Sequence, residues 1–203
     1  MSEAYVIAIE GFASDRPFET LPAAIKTAAR RAVNRTADRA RTDAARRMLQ
    51  QVKLPPSYLQ PSQGRLTVSK RASGDDMEAI VTGRQRPTSL ARFARGNAPS
   101  KTGVSVEVAP GFARFMRRAF LIRLRAGSAD LDTKSNLGLA IRLKPGERIE
   151  SKRQMIRMKG NLYLLYGPSV DQLFNTIRED IAPDTQDFLS AEFLRLVELD
   201  GIQ

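Results

Sequence analysis

Between Pro22 and the Pro55-Pro56 pair the chain runs through 32 residues without a glycine or a proline, and this stretch is made mostly of Ala and Arg. Both are strong helix formers, so the run predicts one long helix. Leu21-Pro22 opens it, with Thr20 as N-cap and Pro22 near the first turn, where a missing N–H costs little. Leu54-Pro55-Pro56 ends it, because proline lacks the donor and biases the residue before it away from helical geometry. The expected helix covers residues 21–53, running to about Val52. Leu21, Ile25, Ala28, Ala32, Thr36, Ala40, Ala44 and Met48 fall on one narrow, small-sided face that a second helix or a neighbouring subunit can approach closely. The other faces carry Arg30, Arg31, Arg35, Arg39, Arg41, Arg46 and Arg47. They form either a solvated basic face or, with Arg30, Arg31, Arg35, Arg39, Arg46 and Arg47 as contacts, a surface for DNA or an acidic partner.

Elsewhere the pattern is that of strands. Ala4 to Ile9 reads as a short opening strand and Gly11 to Thr20 as a loop. After Pro56 a period of two appears in 65–70 and 77–83, with Ala72 to Asp76 as a hairpin turn between them. Further strands fit 103–109, 119–125, 138–143 and 161–166, while Phe112 to Met116 reads as a short turn or helix. Phe112, Phe115 and Phe120 are expected in the core. Ser169 can cap a helix over 170–181 and Asp184 another over 185–199, with Pro183 separating the two. The fold class is therefore α+β: an antiparallel or mixed sheet of about five to six strands, a long N-terminal helix and a C-terminal helical pair. One domain over 1–203 is expected, made of an N-terminal strand and loop (1–20), the basic helix (21–53), the sheet region (54–168) and acidic C-terminal helices (169–203).

The chemistry available to this chain is narrow. Its 203 residues include no cysteine and no histidine, which removes disulfides, thiolate nucleophiles, most hydrolytic triads, zinc sites and neutral-pH proton shuttles. No catalytic site, cofactor or metal is expected. Gly96 to Thr102 resembles a phosphate-binding loop only superficially, since the glycine before Lys101 is missing and the spacing is one residue short. The adjacent acids Asp75-Asp76 and Glu179-Asp180 suit a turn and a helix end. No apolar run approaches the roughly 18–20 residues that span a bilayer, and the acids in MSEAYVIAIEGF stand where a signal peptide carries Lys or Arg. A cytoplasmic origin without membrane contact is expected.

The net charge of +11 is unevenly placed. Residues 21–53 hold nine Lys/Arg against two acids, a net of +7, and residues 169–203 hold two against eight, a net of −6. Residues 84–101 add Arg84, Arg86, Arg92, Arg95 and Lys101 with no acid. Such density favours nucleic acid or an acidic protein surface, and a basic stretch with an acidic tail also allows copies to pair head to tail.

Two segments are more particular than pattern explains: Arg84-Gln-Arg-Pro-Thr-Ser-Leu-Ala-Arg-Phe93 and Leu165-Tyr-Gly-Pro-Ser-Val-Asp-Gln-Leu-Phe174. In the first, Arg84, Arg86, Pro87, Leu90, Arg92 and Phe93 combine charge with apolar anchors, as interface hot spots do. In the second, Tyr166, Gly167, Pro168 and Ser169 make a sharp strand-to-helix turn followed by an apolar edge at Val170, Leu173 and Phe174. It serves either to seal the fold or as a subunit contact. Together with Ala32-Val-Asn-Arg-Thr-Ala-Asp-Arg-Ala-Arg-Thr42 and Glu192-Phe-Leu-Arg195, these segments resemble the prophage minor tail protein Z family over roughly residues 20–196.

The resemblance implies a structural, non-enzymatic virion protein of the neck of a lambda-like tail, assembled in the host cytoplasm and acting in tail completion and head-tail joining. It implies a homo-oligomeric ring, of six copies by the symmetry of such tails, beside head-connector, tail-terminator or tail-tube proteins and the passing DNA. The alternative is a sequence-independent DNA-binding protein acting through helix 21–53 and loop 84–101.

Overall fold

The computed structural model describes residues 5–8, 21–95, 102–125, 137–144, 146–147 and 155–199. The Gly11 to Thr20 loop, the Thr20 cap and the Gly96 to Lys101 stretch fall outside them. The protein is α+β, with two long helices and short strands in three sheets among the described residues. It divides into two compact units: residues 1–48, 59–84 and 173–203 form the first, and residues 49–58 and 85–172 the second.

In the first unit, α1 (Ala23–Gln51) is the expected long helix. Its buried residues are Ala28, Ala29, Ala32, Val33, Thr36, Ala37, Ala40, Arg41, Ala44 and Met48. This face contains the anticipated stripe from Ala28 to Met48 and is wider by Val33, Ala29 and Ala37. Arg41, expected on a solvated face, is only 9% exposed; its Nε donates to the Leu66 carbonyl at 3.0 Å and its Nη2 to that of Leu59. The guanidinium is tolerated there because it satisfies two carbonyls that would otherwise lack a donor. The first sheet has the order β1 (Tyr5–Ala8), β3 (Glu78–Gly83), β2 (Leu66–Lys70), all antiparallel. The turn between β2 and β3 closes through Ser73 and Asp76 and is held to α1 by Asn34, which exchanges two hydrogen bonds with the Ala72 backbone.

The C-terminal part departs from the helical pair expected. A single helix, α2 (Val170–Leu199), passes through Pro183. An interior proline removes one backbone hydrogen bond and costs about 3 kcal/mol. Here its exposed ring points away from the core while apolar residues on both sides are packed: Ile177 and Ile181 before it are fully buried, and Leu196 beyond it clusters with Leu189, Phe193, Val197, Ala28 and Ala32. The methyl side chains of α1 leave room for the larger ones of α2. Asp184 is consequently not a cap; it is exposed and pairs with Arg47. Ser169 is a cap as expected: its Oγ accepts from the Gln172 N–H and its own N–H donates to Gln172 Oε1, both at 3.0 Å, a reciprocal capping box.

The second unit carries the other two sheets, where the expectation was one sheet of five or six strands. The larger has the order β4 (Pro87–Ser89), β10 (Leu162–Ser169), β8 (Leu137–Arg142), β7 (Ala119–Arg123), with β9 (Met155–Arg157) also paired to β10. Ala140, Leu164 and Tyr166 are buried in it, with Phe120, Ile122, Leu124 and Leu162 packed against them. The smaller is a ribbon of β5 (Gly103–Glu107) and β6 (Ala113–Arg117). Thus Phe112 to Met116, read as a short turn or helix, falls mostly within strand β6, and β4 and β9 are strands not anticipated. Phe112 and Phe115, expected in the core, are 79% and 54% exposed: Phe112 lies in the turn before β6, and Phe115 alternates to the face of the ribbon opposite the buried Val104 and Val106. Among the described residues no helix is long and apolar enough to cross a membrane.

Candidate interaction surfaces

The two unusual segments are neighbours in space. β4 pairs antiparallel with the end of β10, placing Ser89 opposite Tyr166 and Pro87 opposite Ser169, with a register shift between. Pro168 is tolerated inside β10 because this irregular stretch is where the ladder is interrupted. A tight helical turn over Leu90–Phe93 follows β4, and its Leu90 and Phe93 side chains lie against Gly167. Thr88 and Tyr58, both buried, bring their hydroxyls to 3.2 Å. The Arg92 guanidinium stacks on the Tyr58 ring, 4.8 Å from its centroid.

Most of the expected contact residues are therefore occupied inside the chain. Phe93, Tyr166, Gly167, Ser169, Val170 and Phe174 are buried within the chain's own packing. Arg86, Pro87, Leu90, Arg92 and Pro168 are half-buried. Arg84 is half-buried too, and its backbone N–H donates to Arg65 O at 2.8 Å, extending the β2–β3 pairing.

The arginines of α1 are likewise engaged. Arg35 donates to Glu192 Oε1, Arg47 to Asp184 Oδ2 at 3.3 Å and Arg46 to Asp43 at 2.9 Å. Arg39 pairs with Asp43 and lies 4.3 Å from the centroid of the Phe188 ring, and Arg30 donates to the Gly74 carbonyl. Arg31 is exposed. Glu192, held by Arg195 and then by Arg35, has its carboxyl lowered to about 2 despite burial. The basic helix and acidic tail thus meet within one chain.

An element that the sequence reading missed organises the second unit. Glu107, buried at the end of β5, accepts from Lys53 Nζ at 2.6 Å, Arg95 Nε at 2.7 Å and the Gly111 N–H at 2.9 Å. These donors, Lys53 first, hold its carboxyl at about 2. A groove of about 410 Å³ opens beside it, lined by Leu54, Pro55, Arg92 and Phe93 among others. The available signal was that Glu107 is the only acid between Glu78 and Asp130.

Charge divides between the units differently from the sequence segments. The second unit holds 18 Lys/Arg against 6 Asp/Glu, a net of +12, and the first holds 15 against 16, a net of −1. On the ribbon, Arg114 and Arg117 are exposed beside Phe112 and Phe115, and on β9 and just after it Arg157 and Lys159 flank the exposed Ile156 and Met158.

No family model, curated protein or solved structure matches this chain.

Proposed function

We propose that the protein is a structural component of a tailed-phage virion at the head-tail junction, working as a ring-forming neck or tail-completion protein. The observation that carries this reading is the β4–β10 joint. The two segments on which the family resemblance chiefly rests, far apart in sequence, form one packed unit around Gly167. Segments that share a packing site are under a common constraint, so a joint resemblance at both is more informative than at either. Exposed aromatic side chains rimmed by arginine, on a chain without His or Cys chemistry, further suit assembly.

Cryo-electron microscopy of particles from the phage that encodes the chain tests the reading. Density for it between head connector and tail tube, in a closed ring, is the expected result; its absence from purified virions overturns the assignment.

Sequence-independent DNA binding draws on the +12 charge of the second unit, yet the α1 residues Arg30, Arg35, Arg39, Arg46 and Arg47, expected to meet DNA, already have partners within the chain. That reading requires the isolated protein to bind duplex DNA with a steep salt dependence.

A further inference from the structure

Along α2, Asp180, Asp184, Asp187, Ala191, Leu194 and Glu198 follow one another at three- and four-residue spacing, and every one is exposed. They form one continuous stripe on the helix. Leu194 is 61% exposed, and Leu199 beside its end is 67% exposed. The first unit therefore displays large apolar side chains bordered by carboxylates. The second displays the opposite combination along the edge strand β6: exposed Phe112 and Phe115, with Arg117 on the same face as Phe115 and Arg114 on the other. Among the described residues, no ion pair within the chain includes Arg114, Arg117, Asp180, Asp187 or Glu198. β6 is also an edge strand, pairing only with β5 among the described strands.

The geometry points to self-association through these two patches: the β5–β6 ribbon of one copy seats on the acidic stripe of α2 in a second copy. Apolar anchors at the centre and opposite charges at the rim give such a contact both burial and register. Because the two patches differ, the contact is heterologous and leaves one free patch of each kind on every pair; it propagates, and closes into a ring when the rotation per copy allows. DNA would satisfy the arginines and leave the matching acidic stripe without a role. The inference rests on the ring-component reading only for its purpose, since the complementarity is a property of the isolated chain.

Sedimentation velocity of the purified full-length protein, over series of concentration and salt, tests it. The wild type is expected to form multimers that disperse as salt rises, because exposed charges are screened beyond about 10 Å at 0.1 M. Arg114→Glu with Arg117→Glu, and separately Asp187→Arg with Glu198→Arg, should each sediment as single chains with an unchanged circular dichroism spectrum. An equimolar mixture of these two variants offers a native contact and a charge-reversed contact in alternation and should restore multimers. All four substitutions in one chain reverse both patches and should restore multimers. A wild type that remains a single chain throughout, variants that assemble like it, or a fourfold variant that stays dispersed each overturns the proposal. So does a monomeric wild type that retains duplex DNA through Arg114 and Arg117, which makes the ribbon a nucleic-acid surface. Absence of the chain from virions with this pattern intact would remove the neck assignment and leave the self-association standing.

Discussion

A Cβ placed on Gly167 would lie 3.1 Å from Cε2 of Phe93, so the glycine of β10 and the phenylalanine after β4 occupy each other's space. This is the point at which the two resembling segments are locked together. Phe93→Ala should lower stability by about 3–5 kcal/mol, the usual range for emptying a buried aromatic site, and Gly167→Val by about 1–3 kcal/mol through overpacking. Urea denaturation read by circular dichroism checks both. A fully stable Phe93→Ala variant would mean that this ring is not part of the core.

Arg41 should behave unlike every other arginine of α1. Removing its side chain leaves the Leu59 and Leu66 carbonyls without their donor, so Arg41→Ala should cost about 2–3 kcal/mol. Arg46→Ala, at a pair on the surface, should stay within about 1 kcal/mol. Burial lowers the Arg41 pKa, but a guanidinium stays protonated at any accessible pH, and the cost should be independent of pH from about 5 to 9.

Acid should weaken the protein through two buried carboxyls. Glu107 and Glu192 both titrate at about 2 in the folded chain, against an ordinary glutamate value of 4.5. A depressed folded pKa contributes stability that is complete above the unfolded value and is lost as pH falls from about 4.5 toward 2. Urea midpoints should therefore fall through that window. Glu107→Gln should be less stable at pH 7 and show a shallower fall; an unchanged pH profile would show that the Lys53 and Arg95 contacts are not maintained in solution.

Pro183 sits inside α2, and replacing it lets the backbone N–H at 183 rejoin the helical ladder. Pro183→Ala should raise stability, by up to about 3 kcal/mol, seen as a higher melting temperature. A lower one would indicate that the interruption itself supports the packing of Ile181 or Leu189.

What local chemistry dictates was readable from the amino-acid order. Pro22 and Leu54-Pro55-Pro56 bound α1, Ser169 caps the start of α2, Ser73 to Asp76 turns the chain between β2 and β3, alternation marks β2 and β3, and short apolar runs mark β5, β7, β8 and β10, because each depends on residues within a few positions of one another. The resembling segments were also visible as segments, though not as neighbours. Tertiary structure decided the rest. Pro183 reads as a helix break locally, and only packing on both sides of it holds α2 in one piece. Arg41 has the same local surroundings as Arg39, yet carbonyls from distant residues take it into the interior. Glu192 and Asp184 pair with α1 across more than a hundred residues, so opposite charges that appear as two ends of a sequence neutralise each other in one unit. Phe112 and Phe115 look like core because hydrophobicity is a property of the residue; exposure is a property of what lies over it, and Phe115 alternates to the face of the β5–β6 ribbon opposite the buried Val104 and Val106.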